Sequence, residues 1–127
     1  MSWKMVFCLR RLPNLDEAEF SRYWREEHAR LFRKYAEALR VRRYTQSHRL
    51  PGRLNEALRE HRGAPDGYDG VAEVWFDSLE DLKAGITSEA GRAAAAILVE
   101  DERRFIDHSA SPIWISEEIE IDLGYRT

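Results

Sequence analysis

The sequence predicts an α+β fold: a ferredoxin-like β-α-β-β-α-β chain with an antiparallel four-stranded sheet. Three observations predict it. The elements read in the order strand, helix, strand, strand, helix, strand. The first and third strands carry apolar residues on both faces, so each face calls for cover. Two large helices cover only one face of a four-stranded sheet, and the chain has no third large helix. The second cover is expected from another copy of the chain: a homodimer in which two sheets pack face to face as a barrel, helices outside.

The first strand spans residues 3–10, with Trp3, Met5, Phe7 and Leu9 on one face and Val6 and Cys8 on the other. Leu12-Pro13-Asn14 breaks it, and Asn14 with Glu17 three residues on predicts a capping box. The following helix is expected to run to about residue 39, because Phe20, Tyr23, Trp24, Leu31, Tyr35 and Leu39 recur at helical spacing. Residues 41–48 predict a second strand of mixed polarity. One face reads Arg42, Tyr44, Gln46 and His48; the other reads Val41, Arg43, Thr45 and Ser47.

Residues 49–67 read as a polar insert, with a short helix over 54–61 and a turn at Gly63-Ala64-Pro65-Asp66-Gly67. The third strand covers 68–76, with Val71, Glu73 and Trp75 on one face and Ala72, Val74 and Phe76 on the other. Ser78 is expected to cap a short helix ending near Gly85. Ser88 is expected to cap a longer one to about residue 107, with Ala94, Ile97, Leu98 and Phe105 inward. After Ser111-Pro112, a last strand over 113–123 is long for its kind. Ile113, Ile115, Ile119, Ile121 and Leu123 fall on odd positions, and Glu118, Glu120 and Asp122 on even ones. Such a strand either bends, or its end leaves the subunit and pairs with a neighbour.

The length of 127 residues, 43% of them hydrophobic and 34% charged, fits a single domain over 1–127. One cysteine, Cys8, excludes an internal disulfide and any multi-cysteine metal site. The longest nearly uncharged run, residues 93–99, falls far short of the roughly twenty residues of a membrane span. Met1-Ser2-Trp3-Lys4-Met5 lacks the basic-then-apolar layout of a signal peptide. A soluble, cytoplasmic domain with no membrane partner is expected. The net charge of −3 conceals an asymmetry: residues 10–53 hold 12 basic and 6 acidic residues, while 68–127 hold 5 basic and 14 acidic. The halves are expected to neutralise each other rather than bind nucleic acid, which calls for a positive surplus on one face.

His28 lies four residues after Trp24 and three before Leu31, on the apolar stripe that faces the sheet. Its imidazole is expected in the space between helix and sheet. Asp101 lies four after Ile97 and four before Phe105, inward on the second long helix, where a carboxylate without a partner is costly. Two helices on one sheet face can bring His28 and Asp101 together, and a carboxylate then fixes the imidazole tautomer for proton transfer. The plain alternatives are a core histidine with one hydrogen bond, and a salt bridge from Asp101 to an arginine.

Tyr44, Gln46 and His48 share a strand face. With Trp24, they are candidates to line a pocket for an oxygenated ligand, and the face they occupy is left open by the pattern. Tyr23 reads as core, Cys8 as a small buried hydrophobe, and His61 and His108 as loop or helix-end residues. The chain has no G-x-G-x-x-G, no P-loop, no G-x-S-x-G elbow and no H-x-x-x-H pair. No organic cofactor and no metal are therefore expected.

Three segments carry a family resemblance. Phe20-Ser21-Arg22-Tyr23-Trp24-Arg25-Glu26-Glu27-His28-Ala29 resembles the first-helix motif of EthD-domain proteins, in which a Phe and a Trp precede a His near the helix centre. Tyr68-Asp69-Gly70-Val71-Ala72-Glu73-Val74-Trp75-Phe76-Asp77 resembles that family's third strand. Asp101-Glu102-Arg103-Arg104-Phe105-Ile106-Asp107 resembles its second-helix ending. The resemblance spans about residues 5–118 and implies a dimeric α+β barrel. Of the motif residues it carries over His28 first, then Asp101 and Asp107. Relatives in the wider superfamily include cofactor-free monooxygenases of polycyclic phenols, aromatic polyketide cyclases, lactone isomerases and dehydratases, so the resemblance does not select a reaction.

These readings converge on a small-molecule enzyme without an organic cofactor, of isomerase, cyclase or dehydratase type, acting on an apolar oxygenated metabolite. His28 is expected as general acid/base and Asp101 as its orienting group. Tyr44 and His48 are expected to position the substrate oxygens. Two alternatives stand beside it: a cofactor-independent oxidoreductase or monooxygenase on a phenolic substrate, and a non-enzymatic binding or accessory protein of a degradation pathway.

Overall fold

A computed structural model describes residues 2–125; Met1, Arg126 and Thr127, which belong to the predicted domain, lie outside the described residues. The chain forms β1 (Ser2–Leu9), α1 (Glu17–Arg22), a π-helical stretch (Tyr23–His28), α2 (Ala29–Tyr35) and β2 (Arg43–His48). It continues through α3 (Arg53–Arg62), β3 (Gly70–Phe76), α4 (Leu79–Thr87), α5 (Glu89–Glu102), a 3₁₀ turn (His108–Ala110) and β4 (Ile113–Glu118). The strands make one antiparallel sheet in the order β2-β3-β1-β4, the predicted ferredoxin-like arrangement.

Strand register decides which side chains lie under the helices. Met5 sits opposite Val74 and Val74 opposite Tyr44; Phe7 opposite Ala72 and Ala72 opposite Gln46; Leu9 opposite Gly70 and Gly70 opposite His48. Opposed residues share a sheet face. Tyr44, Gln46 and His48 therefore lie on the Met5–Phe7–Leu9 face, beneath the helices. The core forms there from Leu9, Phe20, Trp24, Ala72, Phe105 and Ile106.

The opposite face carries Lys4, Val6 and Cys8 of β1 with Val71, Glu73 and Trp75 of β3. Lys4 pairs with Glu73 and, at 3.1 Å, with Glu118. Glu118 also accepts from Trp75 Nε1 at 3.1 Å, and the Arg43 guanidinium lies 4.4 Å over the Trp75 ring. Val6 and Trp114 stand opposite each other on this face, and Trp114 is exposed.

Several element ends differ from expectation, each for a local reason. The helix cap is Asp16, not Asn14. The Leu15 N–H bonds the Leu12 carbonyl, so a turn delays the helix start. Asp16 and Glu19 then complete the capping box: the Asp16 carboxylate accepts from the Glu19 N–H at 2.8 Å and the Glu19 side chain from the Asp16 N–H at 3.3 Å. Regular helix ends at Tyr35 rather than residue 39, and the chain closes through Arg40 in the left-handed region (φ 60°). There the N–H groups of Arg40 and Val41 bond the carbonyls of Glu37 and Ala36, a Schellman closure.

α5 stops at Glu102 because Ile106 bridges to Arg11 and the Asp107 N–H bonds the Arg10 carbonyl, drawing the chain back along β1. Its buried row is Gly91, Ala94 and Leu98, and Ile97 faces outward, against expectation. β4 ends at Glu118 rather than residue 123, since its neighbour β1 begins at Ser2, directly opposite Glu118.

The two oppositely charged halves meet within the subunit. Arg11 pairs with the buried Asp69, Arg40 with Asp81 at 3.1 Å and Arg42 with Asp77 at 3.1 Å. Among the described residues no helix is long and apolar enough to cross a membrane.

Candidate functional site

Residues five apart in an α-helix point about 140° away from each other. A π-turn, bonded i to i+5, sets them one above the other instead. Such a turn occurs at Tyr23–His28, closed by the Ala29 N–H on the Trp24 carbonyl. It brings Tyr23 and His28 to one side, facing α5. Asp101 meets both: Tyr23 Oη donates to Oδ1 at 2.6 Å and His28 Nδ1 to Oδ2 at 2.8 Å. Arg104 Nε lies 3.6 Å from Oδ1, so the expected arginine pairing exists beside the histidine contact rather than in place of it.

His28 is 4% exposed, with the Phe105 ring 5.1 Å from the imidazole. A carboxylate only accepts, so Nδ1 carries the hydrogen in the neutral ring and Nε2 carries the lone pair. Nε2 has no hydrogen-bond partner among the described residues. No fully buried side-chain nitrogen or oxygen among them lacks a partner, so Nε2 is not completely enclosed. Burial, with the hydrogen bond to Asp101 and its charge behind it, pushes the Tyr23 phenol up to about 12. Tyr23 thus stays a donor to Asp101 across the physiological range. The sequence pattern assigns Tyr23 to the core. The available signal was its phenol, a polar group on an apolar stripe that needs a partner.

Tyr44, Gln46, His48 and Trp24 also come together, but chiefly with one another. Gln46 Nε2 donates to the Trp24 carbonyl at 2.9 Å and to Tyr44 Oη at 2.8 Å. A carbonyl only accepts, which fixes the amide orientation. Gln46 Oε1 then accepts from His48 Nε2 at 2.8 Å, and His48 Nδ1 accepts from the Ser21 hydroxyl at 2.6 Å. His48 is neutral in this network. Burial, then the charge of Arg25, hold its pKa below the ordinary histidine value. Burial pushes the Tyr44 phenol upward, against the hydrogen bond from Gln46.

Trp24 is buried, its ring 4.4 Å from His48 and so close over Gly70 that a Cβ there would strike it. Phe32 stacks on Tyr44 at 4.1 Å. The four residues brace the π-turn: the Trp24 carbonyl accepts both the Ala29 N–H and the Gln46 amide. Asp107 caps the 3₁₀ turn, accepting from the Ser109 N–H at 3.1 Å and its hydroxyl at 2.6 Å.

Three cavities stand out. One of about 780 Å³ lies against α3 and is lined by Arg49, Leu50, Leu58, Arg59, Arg62 and Asp66, among others. One of about 20 Å³ lies at Ser21, His48 and Asp69, room for a single water. One of about 450 Å³ is lined by Glu120, Ile121, Asp122, Leu123 and Tyr125. None of these three is lined by His28 or Asp101. Where a ligand-sized space beside the imidazole is expected, the ring of Phe105 is packed. Among the described residues no three His, Cys, Asp or Glu side chains are grouped to hold a metal ion.

The EthD domain family profile matches residues 12–109. Similar solved structures include an ethyl tert-butyl ether d (EthD) family protein from Bacillus halodurans, 19% identical over 94% of this chain and 100% of that one, with a TM-score of 0.62. An EthD-like protein from Ralstonia eutropha is 18% identical over 98% of this chain and 99% of that one, with a TM-score of 0.60. A dimeric ferredoxin-like protein of unknown function from a Jannaschia species is 15% identical over 93% of this chain and 100% of that one, with a TM-score of 0.53. These likenesses are of fold. Among curated proteins none matches the sequence.

Proposed function

The chain belongs to the EthD domain family, and from that premise we propose a small-molecule enzyme, working without an organic cofactor, in which His28 moves a proton on an apolar, oxygen-bearing metabolite. The observation that carries this reading is the chain Tyr23–Asp101–His28, one carboxylate held between a phenol and an imidazole whose Nε2 makes no hydrogen bond among the described residues. Nε2 takes a proton from a carbon or hydroxyl next to a carbonyl or ring oxygen. Asp101 stabilises the imidazolium that forms. The same proton returns to another carbon, giving isomerisation or cyclisation, or to a departing hydroxyl, giving dehydration. Tyr23 is a positioning residue: it holds Asp101 in the orientation that keeps Nδ1 protonated. General acid–base help of this kind contributes about 10² to 10⁴ in rate.

The functional unit in this reading is a homodimer joined across the sheet face that bears Val6, Cys8, Val71 and Trp114. The partly apolar character of that face supports it, as does the dimeric state of the Jannaschia protein.

A second reading, a non-enzymatic binding or accessory protein, is favoured by the packing of Phe105 on His28 and by the mutual satisfaction of Tyr44, Gln46 and His48. One experiment separates the two. Phenols, enols and lactones are screened by NMR for binding and for exchange of ligand protons with deuterated solvent. Exchange that disappears in His28→Gln while binding persists supports the enzyme. Binding without exchange, or exchange unchanged in the variant, rejects His28 as the acid/base.

A further inference from the structure

Two parts of the chain stand apart from the core, and they complement each other. Beyond β4, Ile119, Ile121, Leu123 and Tyr125 alternate with Glu120 and Asp122, and the four apolar side chains are 70, 70, 71 and 81% exposed. The cavity beside this segment is lined by its own residues. The second part is the insert between β2 and β3. α3 buries none of its side chains, and Leu50 and Leu58 are 67 and 57% exposed on the 780 Å³ groove. Arg59 and Arg62 line the same groove. Asp66 engages Arg59 at 3.2 Å, while Arg62 makes no ion pair among the described residues and reaches only the Leu58 carbonyl, at 3.5 Å. The groove is of mixed lining: Glu17, Glu56 and Asp66 balance Arg49, Arg59 and Arg62, and Arg49 and Arg59 are already paired, so beside Leu50 and Leu58 the guanidinium left for an outside carboxylate is that of Arg62.

The segment does not reach the groove of its own subunit. It leaves the sheet where Glu118 faces Ser2, at the β4 edge. The groove opens past His48, which is aligned through Gly70 with Leu9, at the β2 edge and the other end of the strands. That diagonal crosses three strand spacings and seven residues of strand, about 27 Å. Leu123, five residues past Glu118, extends at most about 18 Å. In a second copy lying antiparallel across the open sheet face, the Leu9 end comes beside the departing segment. The width of the sheet, about 14 Å, and the spacing of about 10 Å between packed sheets then remain, a straight path of about 17 Å that an extended segment just spans by Leu123.

We infer that residues 119–125 of one subunit dock in the α3 groove of a second copy, with Ile121 and Leu123 against Leu50 and Leu58 and with Glu120 and Asp122 toward Arg62. The inference rests on the homodimer reading and names a clasp beyond its sheet-to-sheet contact.

The test uses the full chain carrying the photo-crosslinker benzoylphenylalanine in place of Leu123, mixed with an isotopically heavy copy. Light-to-heavy crosslinks from position 123 to residues 49–67 are expected. Crosslinks confined to one copy, or landing elsewhere on the partner, overturn the inference. A second arm measures dimer dissociation by sedimentation. Glu120→Lys with Asp122→Lys is expected to weaken the dimer by about tenfold, and Arg62→Glu is expected to recover much of that loss. An unchanged dissociation constant overturns the clasp and leaves the sheet-face dimer standing. A monomer at micromolar concentration overturns both.

Discussion

Tyr23 and His28 grip opposite oxygens of the same carboxylate although five residues separate them along the helix. The π-turn is what allows it, and its bracing from β2 ties a backbone irregularity to a side-chain arrangement.

Removing either end of the chain should expose the coupling between its members. Tyr23→Phe and Asp101→Asn each lose a charge-assisted hydrogen bond, and a double-mutant cycle in urea unfolding is expected to return a coupling of about 1 to 3 kcal/mol. A coupling near zero would show that the 2.6 Å contact contributes nothing in solution.

Gln46→Leu should loosen the π-turn. It strips one of two donors from the Trp24 carbonyl and leaves the His48 Nε2–H without its acceptor, at a cost of about 1 to 3 kcal/mol. Amide exchange at residues 23–29 is expected to accelerate more than exchange in β1. Uniform acceleration would mean that Gln46 supports the whole fold rather than this turn.

Gly70→Ala should be among the most damaging small changes. The added methyl meets the Trp24 ring and, at 2.9 Å, the Ser47 carbonyl, with strand backbone on one side and core on the other. Overpacking of this kind is expected to destabilise by about 1 to 3 kcal/mol in thermal or denaturant unfolding. Gly67, which has nothing within reach of its added carbon, is the control.

Stability should fall on mild acidification through His48. Its folded pKa lies below the ordinary value of 6.5. In the window just below 6.5 the unfolded chain binds a proton that the folded chain refuses, so stability rises with pH there and is lost as pH drops. His48→Gln should flatten the denaturation midpoint between about pH 5 and 7, the range in which histidine titrates. A slope that survives the substitution would place the effect on another group.

What the sequence revealed and what it hid divide along one line. Periodicity exposes side chains that obey the regular repeat. Trp24, His28 and Leu31 read as one row, and Asp101 reads as inward between Ile97 and Phe105, so the meeting of His28 with Asp101 was legible even though Ile97 itself turns outward. The sheet was legible for the same reason, from strands 1 and 3 with two apolar faces. Tyr23 was not, because its place beside His28 depends on a turn that breaks the repeat. The face of Tyr44, Gln46 and His48 was hidden because neither side of β2 is apolar; its register comes from β3. The end of β4 was hidden because alternation continues to Leu123, while pairing stops where β1 begins. The cap moved from Asn14 to Asp16 because one Leu12–Leu15 turn decides it.

The widened turn also makes residue count matter more than residue identity. Arg25, Glu26 and Glu27 face solvent. Deleting any one of them would let the backbone rewind to ordinary pitch and swing the preceding part of the helix by roughly 100°. Tyr23 would then leave Asp101, and Trp24 would lift from Gly70. The count of residues between Tyr23 and His28 is thus what keeps both side chains on Asp101.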